Sequence, residues 1–344
     1  MNPSADPSAV SRPPEAEEAA AAVADRRFPR QLVLAPLLVV MLLVIFWLVF
    51  SWSLSGDDDP QALVRHMRGP GRENWQTAYS VAELLRNPDN AALRRDAALC
   101  RELATILDEQ FRNAATNVSQ TQFQVFLCRA LGEFEIPDGL PSLLEAAEIS
   151  QRQGHTAVQC AALEAIAVLS RNVGPGLVRG DARAMQVLLD ASGLAGAPAV
   201  TADADRVAST AAFALGVVGG PAAVQRLRQL LADRRPDVRY NAATGLARQR
   251  DSAAIPVLVE MLDTDSPLSL EDEPDAAAHA RKRTLVISNG IRAAQLFAAG
   301  GEAERRPLID ALRRLQDGPE LPAQLRAAVQ AAHAELRGAG GLLE

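Results

Sequence analysis

The stretch DVRYNAATGLARQRDSAAIPVLVEMLD, from Asp237 to Asp263, decides the fold. Val238, Ala242, Ala243 and Leu246 stand at i, i+4, i+5 and i+8, which is one face of an α-helix. Arg239, Asn241, Arg248 and Gln249 fall off that face. A polar turn follows, in which Asp251 or Ser252 can cap a second helix. Pro256 falls in the first turn of that helix, where a missing N–H costs least. Leu258, Met261 and Leu262 form its apolar face. The segment is therefore a helical hairpin. Two short amphipathic helices leave apolar surface wet, so a hairpin of this kind needs a similar one on each side.

The copies are present. VASTAAFALGVVG repeats the pattern with Val207, Ala211, Ala212 and Leu215, and QFQVFLCRALGEF with Phe123, Leu127 and Leu131. AVQCAALEAIAVL does so with Val158, Ala162 and Ile166, and GIRAAQLFAAGG, more loosely, with Ala293 and Leu296. Gly132 matches Gly216 in the position after the anchoring leucine. Pro141, Pro256 and Pro307 follow Leu131, Leu246 and Leu296 by 10, 10 and 11 residues. From Leu131 to Leu296 the anchor intervals are 35, 49, 31 and 50 residues, a short period interrupted by insertions.

This arrangement resembles HEAT repeats, and among them the short bacterial repeats of the phycobilisome-lyase type. The likeness rests on VRYNAATGLARQ, AAIPVLVEMLD and AAFALGVVGGPAAVQRLRQLL, covers Gln120 to Arg337, and extends more weakly over Asn74 to Gln110. It implies an all-α fold, an α-α superhelix or solenoid, that acts as a binding scaffold. It brings no family-wide catalytic residues. In such stacks the second helices line the concave surface. The resemblance therefore marks Glu145, Glu148, Gln225, Arg228, Glu260, Asp310, Arg313 and Arg314 as protein-contact candidates.

Composition agrees with packed helices. Only 4% of the 344 residues are aromatic, and the formal net charge is −7. Basic residues are interleaved with acids and form no basic face, so a nucleic-acid partner is not expected. Lys282 is the single lysine among the basic residues, which fits a GC-rich bacterial genome. Cys100, Cys128 and Cys160 lie in predicted helices among alanine and leucine and read as small buried residues. His66, His155, His279 and His333 are far apart, without metal-ligand spacing. No phosphate loop or nucleophile elbow is present, so neither cofactor, small-molecule substrate nor enzymatic activity is expected. Asn117 begins an N-x-S sequon of weak meaning.

LVLAPLLVVMLLVIFWLVF, Leu32 to Phe50, carries no polar side chain. Nineteen residues make about 28 Å of helix, against a hydrocarbon core of ~30 Å. The expectation is a single transmembrane helix over 31–54, longer than a signal-peptide core, with cleavage near Ser53 to Gly56 as the alternative. Arg26, Arg27 and Arg30 place the N-terminus inside. The expected organisation is a disordered cytoplasmic tail (1–30), the span, a juxtamembrane spacer (55–72), the solenoid (73–338) and a disordered tail (339–344). The setting is then a bacterial inner membrane with a periplasmic repeat domain.

Insertions at Asn172 to Gly180 and Gly193 to Asp205 read as flexible linkers, and Thr264 to Asp275 as an acidic loop. Glu271, Asp272 and Glu273 in that loop suit a basic partner or a loosely held cation. The function expected is a membrane-anchored scaffold for other proteins, with a membrane complex as one suitable partner class. The alternatives are a bilin-lyase-like enzyme subunit and a self-associating envelope protein.

Overall fold

The structure is a computed structural model. It describes residues 40–41, 43–45, 47, 60–67, 74–112, 117–193, 201–264, 266, 270, 273–318, 321 and 323–338. The chain divides into two units, Met1–Asp58 and Asp59–Glu344. In the first, the described residues Val40, Met41, Leu43, Val44, Ile45 and Trp47 are helical and exposed. Most of the expected span, and both expected tails, lie outside the described residues. The single-pass membrane placement is nevertheless corrected: among the described residues no helix is long and apolar enough to cross a membrane.

The described part of the second unit is all-helical. Its helices are α1 Pro60–Met67, α2 Asn74–Arg86, α3 Ala97–Arg112, α4 Val118–Gly132, α5 Leu140–Gln153, α6 Thr156–Val173, α7 Pro175–Gly180 and α8 Ala182–Ala191. They continue with α9 Ala202–Val218, α10 Pro221–Leu230, α11 Pro236–Arg248, α12 Ile255–Met261, α13 Ala276–Gln295, α14 Glu302–Asp317 and α15 Ala323–Gly338. Two layers result. The first helices α2, α4, α6, α9, α11, α13 and α15 pack each on the next. The second helices α3, α5, α8 and α10 do likewise, as do α12 and α14. The second helices α3, α5, α8, α10, α12 and α14 each pack on the first helix that follows, and α4, α9 and α11 pack on their own second helices as well, so contacts run between neighbours in order, as a stack of hairpins requires. At the start α1 packs on α2 and α3 and buries Val64 and Met67.

The local rules that build the hairpins are visible in their ends. Asn117, Asp181, Thr201 and Asp275 each accept a backbone N–H from the first turn of α4, α8, α9 and α13. Caps of this kind contribute about 1 kcal/mol each. Prolines open α7, α10 and α11 and stand in the first turn of α5 and α12. Asp251 caps a short 3-10 turn, Ser252–Ala254, that leads into α12. Asp96 does the same for α3: its Oδ1 accepts from the Ala98 and Leu99 amides. α3 therefore starts only at Ala97, after a 3-10 turn at Leu93–Arg95. At the end of α5, Gly154 takes φ +73°, a left-handed cap that a side chain would strain.

The apolar pattern is borne out closely. Val238, Ala242, Ala243 and Leu246 are buried, as are Ala211, Ala212, Leu215, Phe123, Leu127, Leu131, Val158, Ala162 and Ile166. One anchor differs. Leu296 is 40% exposed, whereas Phe297 is 1% exposed, with Ala293 and Ala294 buried beside it. With Phe297 as anchor, Pro307 follows by 10 residues, the interval of the other two pairs. Unlike them, Pro307 lies inside its helix, because α14 starts earlier at Glu302.

The insertion at Asn172 to Gly180 is not a flexible linker. It holds α7, which buries Val178 and sends Arg179 to the Val218 carbonyl at 2.8 Å. In the next insertion 194–200 lie outside the described residues, and from Ala202 the chain is already α9.

Candidate protein-contact surfaces

The eight contact candidates do stand on second helices: Glu145 and Glu148 on α5, Gln225 and Arg228 on α10, Glu260 on α12, and Asp310, Arg313 and Arg314 on α14. The structure does not gather them into one site. Arg183 of α8 donates through Nε and Nη2 to both oxygens of Glu148, at 3.0 and 2.9 Å. That pairing holds the Glu148 carboxyl below its ordinary value. Arg228 donates to Asp251 at 2.8 Å, and Asp310 lies 3.7 Å from Arg313 on its own helix. Glu260 accepts from Arg239 at 2.7 Å and from the Tyr240 hydroxyl at 2.9 Å. Burial, and then this bond to Glu260, pushes the Tyr240 hydroxyl pKa up. Glu148, Arg228 and Glu260 are thus staples between neighbouring elements of the stack. Glu145 and Gln225 are exposed. Arg314 borders a cleft of about 220 Å³ with Val259, Leu262 and Ala311.

In the acidic loop Glu271 and Asp272 lie outside the described residues. Glu273 is held by Lys282 at 3.1 Å, and Lys282 also reaches Asp237 at 3.1 Å. Lys282 therefore ties the loop to the start of α11. Among the described residues no cluster of His, Cys, Asp or Glu is fit to hold a metal ion. The three cysteines are free and buried.

Another polar group absent from the expected set closes the stack at an insertion. Arg235 donates from Nε and Nη2 to both Asp233 oxygens, at 2.8 and 2.7 Å. It also reaches the Gly193 carbonyl at 2.7 Å and Asp205 at 3.5 Å. One side chain thereby joins the end of α8, the start of α9 and the turn into α11.

The first-helix layer carries two exposed features. On α2 and α4, Trp75 stacks near Phe126 with ring centroids 6.3 Å apart, and Tyr79 meets Phe126 edge-on at 5.3 Å. The Arg129 guanidinium lies 5.3 Å from the Phe126 centroid. Tyr79 is 46% exposed. Sequence reasoning took the aromatic scarcity as a mark of packed helices and passed over these rings. The available signal was that Tyr79 and Phe126 lie off the apolar faces of their helices.

The second feature is a cleft of about 460 Å³ formed by α9, α11, α13 and the residue that caps α13, Leu296. Phe213, Asn241, Arg248, Asn289, Arg292 and Leu296 line it, and no carboxylate does. Arg248 lies 5.6 Å from the Phe213 ring centroid. Although Arg248 keeps solvent access, desolvation of its guanidinium lowers its pKa from the ordinary value. Arg292 bonds only to Ser288 of its own helix, through Oγ at 3.1 Å and the carbonyl at 3.4 Å. Among the described residues neither arginine forms an ion pair.

Comparison with known proteins agrees with the architecture. Residues 197–271 match the HEAT repeats family, a stretch that contains α9 to α12, two whole hairpins. No curated protein matches the chain. Among solved structures, the crystal structure of an engineered protein aligns at 16% identity over 82% of this chain and 98% of that one, with a TM-score of 0.33. That score is too low to carry an argument.

Proposed function

We propose that this HEAT-repeat chain is a scaffold that binds another protein and catalyses no reaction of its own. The observation that carries the reading is the Trp75, Tyr79, Phe126 and Arg129 patch on the outer side of α2 and α4. Trp, Tyr and Arg dominate the energetics of protein interfaces, because they offer large area at low entropic cost. A chain with only two tyrosines and three tryptophans has placed one of each here. A wet aromatic surface gains free energy when a partner covers it.

The test is a photo-crosslinking residue in place of the exposed Gln76, which lies on α2 between Trp75 and Tyr79. A discrete protein adduct is expected in extracts of the source cells. Tyr79→Ala with Arg129→Ala should reduce its yield about tenfold, since truncating two such anchors commonly costs over 1 kcal/mol. No adduct here, nor from probes on α5, α10 and α14, would sink the scaffold reading.

A further inference from the structure

Three observations single out the cleft between α9, α11 and α13. Its charge is of one sign, although the chain as a whole is acidic at −7. Its two guanidiniums form no ion pair among the described residues, unlike those of Arg183, Arg228 and Arg239, which acids already hold. It also combines apolar surface from Phe213 and Leu296 with side-chain amides of Asn241 and Asn289, so it is not merely a point of positive charge.

That combination reads as peptide recognition. Arginine matches the planar carboxylate with two parallel hydrogen bonds. Asparagine offers both a donor and an acceptor, as a peptide backbone requires. Here Asn241 already spends its Nδ2 on Ser209, at 3.0 Å to the carbonyl and 2.8 Å to Oγ, which leaves its Oδ1 as an acceptor. Leu296 offers an exposed apolar surface for an aliphatic side chain. Its exposure is the consequence of Phe297 taking the core position. We propose that this cleft docks an acidic peptide segment of the partner protein, with carboxylates on Arg248 and Arg292 and an aliphatic side chain against Phe213 and Leu296. The proposal rests on the scaffold reading and adds the chemistry of one partner segment.

The probe is a fluorescein-labelled peptide of alternating glutamate and leucine, read by anisotropy against the full chain, with an otherwise identical glutamine-leucine peptide as control. Binding is expected for the glutamate peptide, about tenfold tighter than for the glutamine one, and weakened by salt. Arg248→Gln with Arg292→Gln should cost about tenfold or more, and Leu296→Asp a similar factor. Arg248→Lys with Arg292→Lys keeps the charge and should restore part of the affinity, which separates charge recognition from a folding defect. Equal binding of the two peptides, or unchanged binding by the glutamine variant, overturns the proposal. So does displacement by inorganic polyphosphate at lower concentration than the unlabelled peptide, which would make the cleft a phosphate site. If the Gln76 crosslink forms and the peptide does not bind, only this inference fails. If the peptide does not bind and neither Gln76 nor the probes on α5, α10 and α14 give an adduct, the scaffold reading fails with it.

Discussion

Gly216 of α9 and Gly245 of α11 meet backbone to backbone. A Cβ built on Gly216 would lie 2.5 Å from the Gly245 Cα, and one on Gly245 would lie 2.8 Å from the Gly216 Cα. The same device recurs two steps nearer the N-terminus, between α4 and α6, where a Cβ on Gly132 would lie 2.9 Å from the Ala165 Cα. Glycine after the anchoring leucine lets successive first helices touch.

Gly216→Ala sets two effects against each other. Helix propensity favours alanine by about 1 kcal/mol. The clash with a neighbouring backbone cannot be relieved by a rotamer change and costs typically 1–3 kcal/mol or more. The clash wins, so urea unfolding should show net destabilisation. Gly176→Ala, with nothing within 4 Å of the added carbon, should be neutral or slightly stabilising. Equal midpoints for the two variants would refute the close contact.

The shifted anchor makes an equally sharp pair. Phe297→Ala should cost about 3–5 kcal/mol, as truncation of a buried aromatic does. Leu296→Ala should stay within about 1 kcal/mol, as surface changes do. Chemical denaturation of both variants decides it, and the reverse order would restore Leu296 as the anchor.

Arg235 is the third case. Asp233 is buried, with its side chain fully enclosed, and Arg235 covers it. Arg235→Ala takes the guanidinium from a buried carboxylate, a change that costs about 3–5 kcal/mol when a buried pair is broken. Arg235→Lys should recover a fraction, because an ammonium cannot reproduce the two-pronged bond. A midpoint within 1 kcal/mol of the parent for Arg235→Ala, on the scale of an exposed pair, would show that the site is solvated.

Cysteine chemistry gives a prediction in pH. Burial pushes the Cys100 and Cys128 thiols from 9.0 up to about 12 and raises Cys160 as well. A thiol whose folded pKa is raised adds stability that is fully present below the unfolded value and is lost as pH climbs through the folded one. Stability should therefore fall between about pH 9 and 12 from this source. A disulfide reagent at pH 8 should find the native thiols inert and all three reactive after denaturation. Rapid labelling of the folded chain would contradict their burial.

The hairpin pattern could be read from the chain because it is local. Val238, Ala242, Ala243 and Leu246 declare a face within three turns, and the prolines and caps mark the ends. Leu296 misled because it and Phe297 are both apolar, and a period of 3.6 tolerates a one-residue slip. The spacing to Pro307 was the correcting signal. Arg235 carries no local signal of its role, since nothing in its own stretch of sequence shows that Gly193 and Asp205 fold back to it. The contact candidates were placed on the right helices, but Glu148 and Glu260 reach arginines 35 and 21 residues away. Whether an outward side chain is already taken by a neighbour depends on the distance between helices, which periodicity does not encode.

The order of packing has a consequence for how the molecule is made. Each helix rests on elements close to it in sequence, so little of the core waits for a distant stretch of chain. During synthesis each new hairpin can settle on the one before it as it emerges, and chains rich in such near-neighbour pairing reach their native form quickly. Growth by addition at an open end also means that a chain halted partway would already be folded behind the stop, with one unsheltered face at its tip.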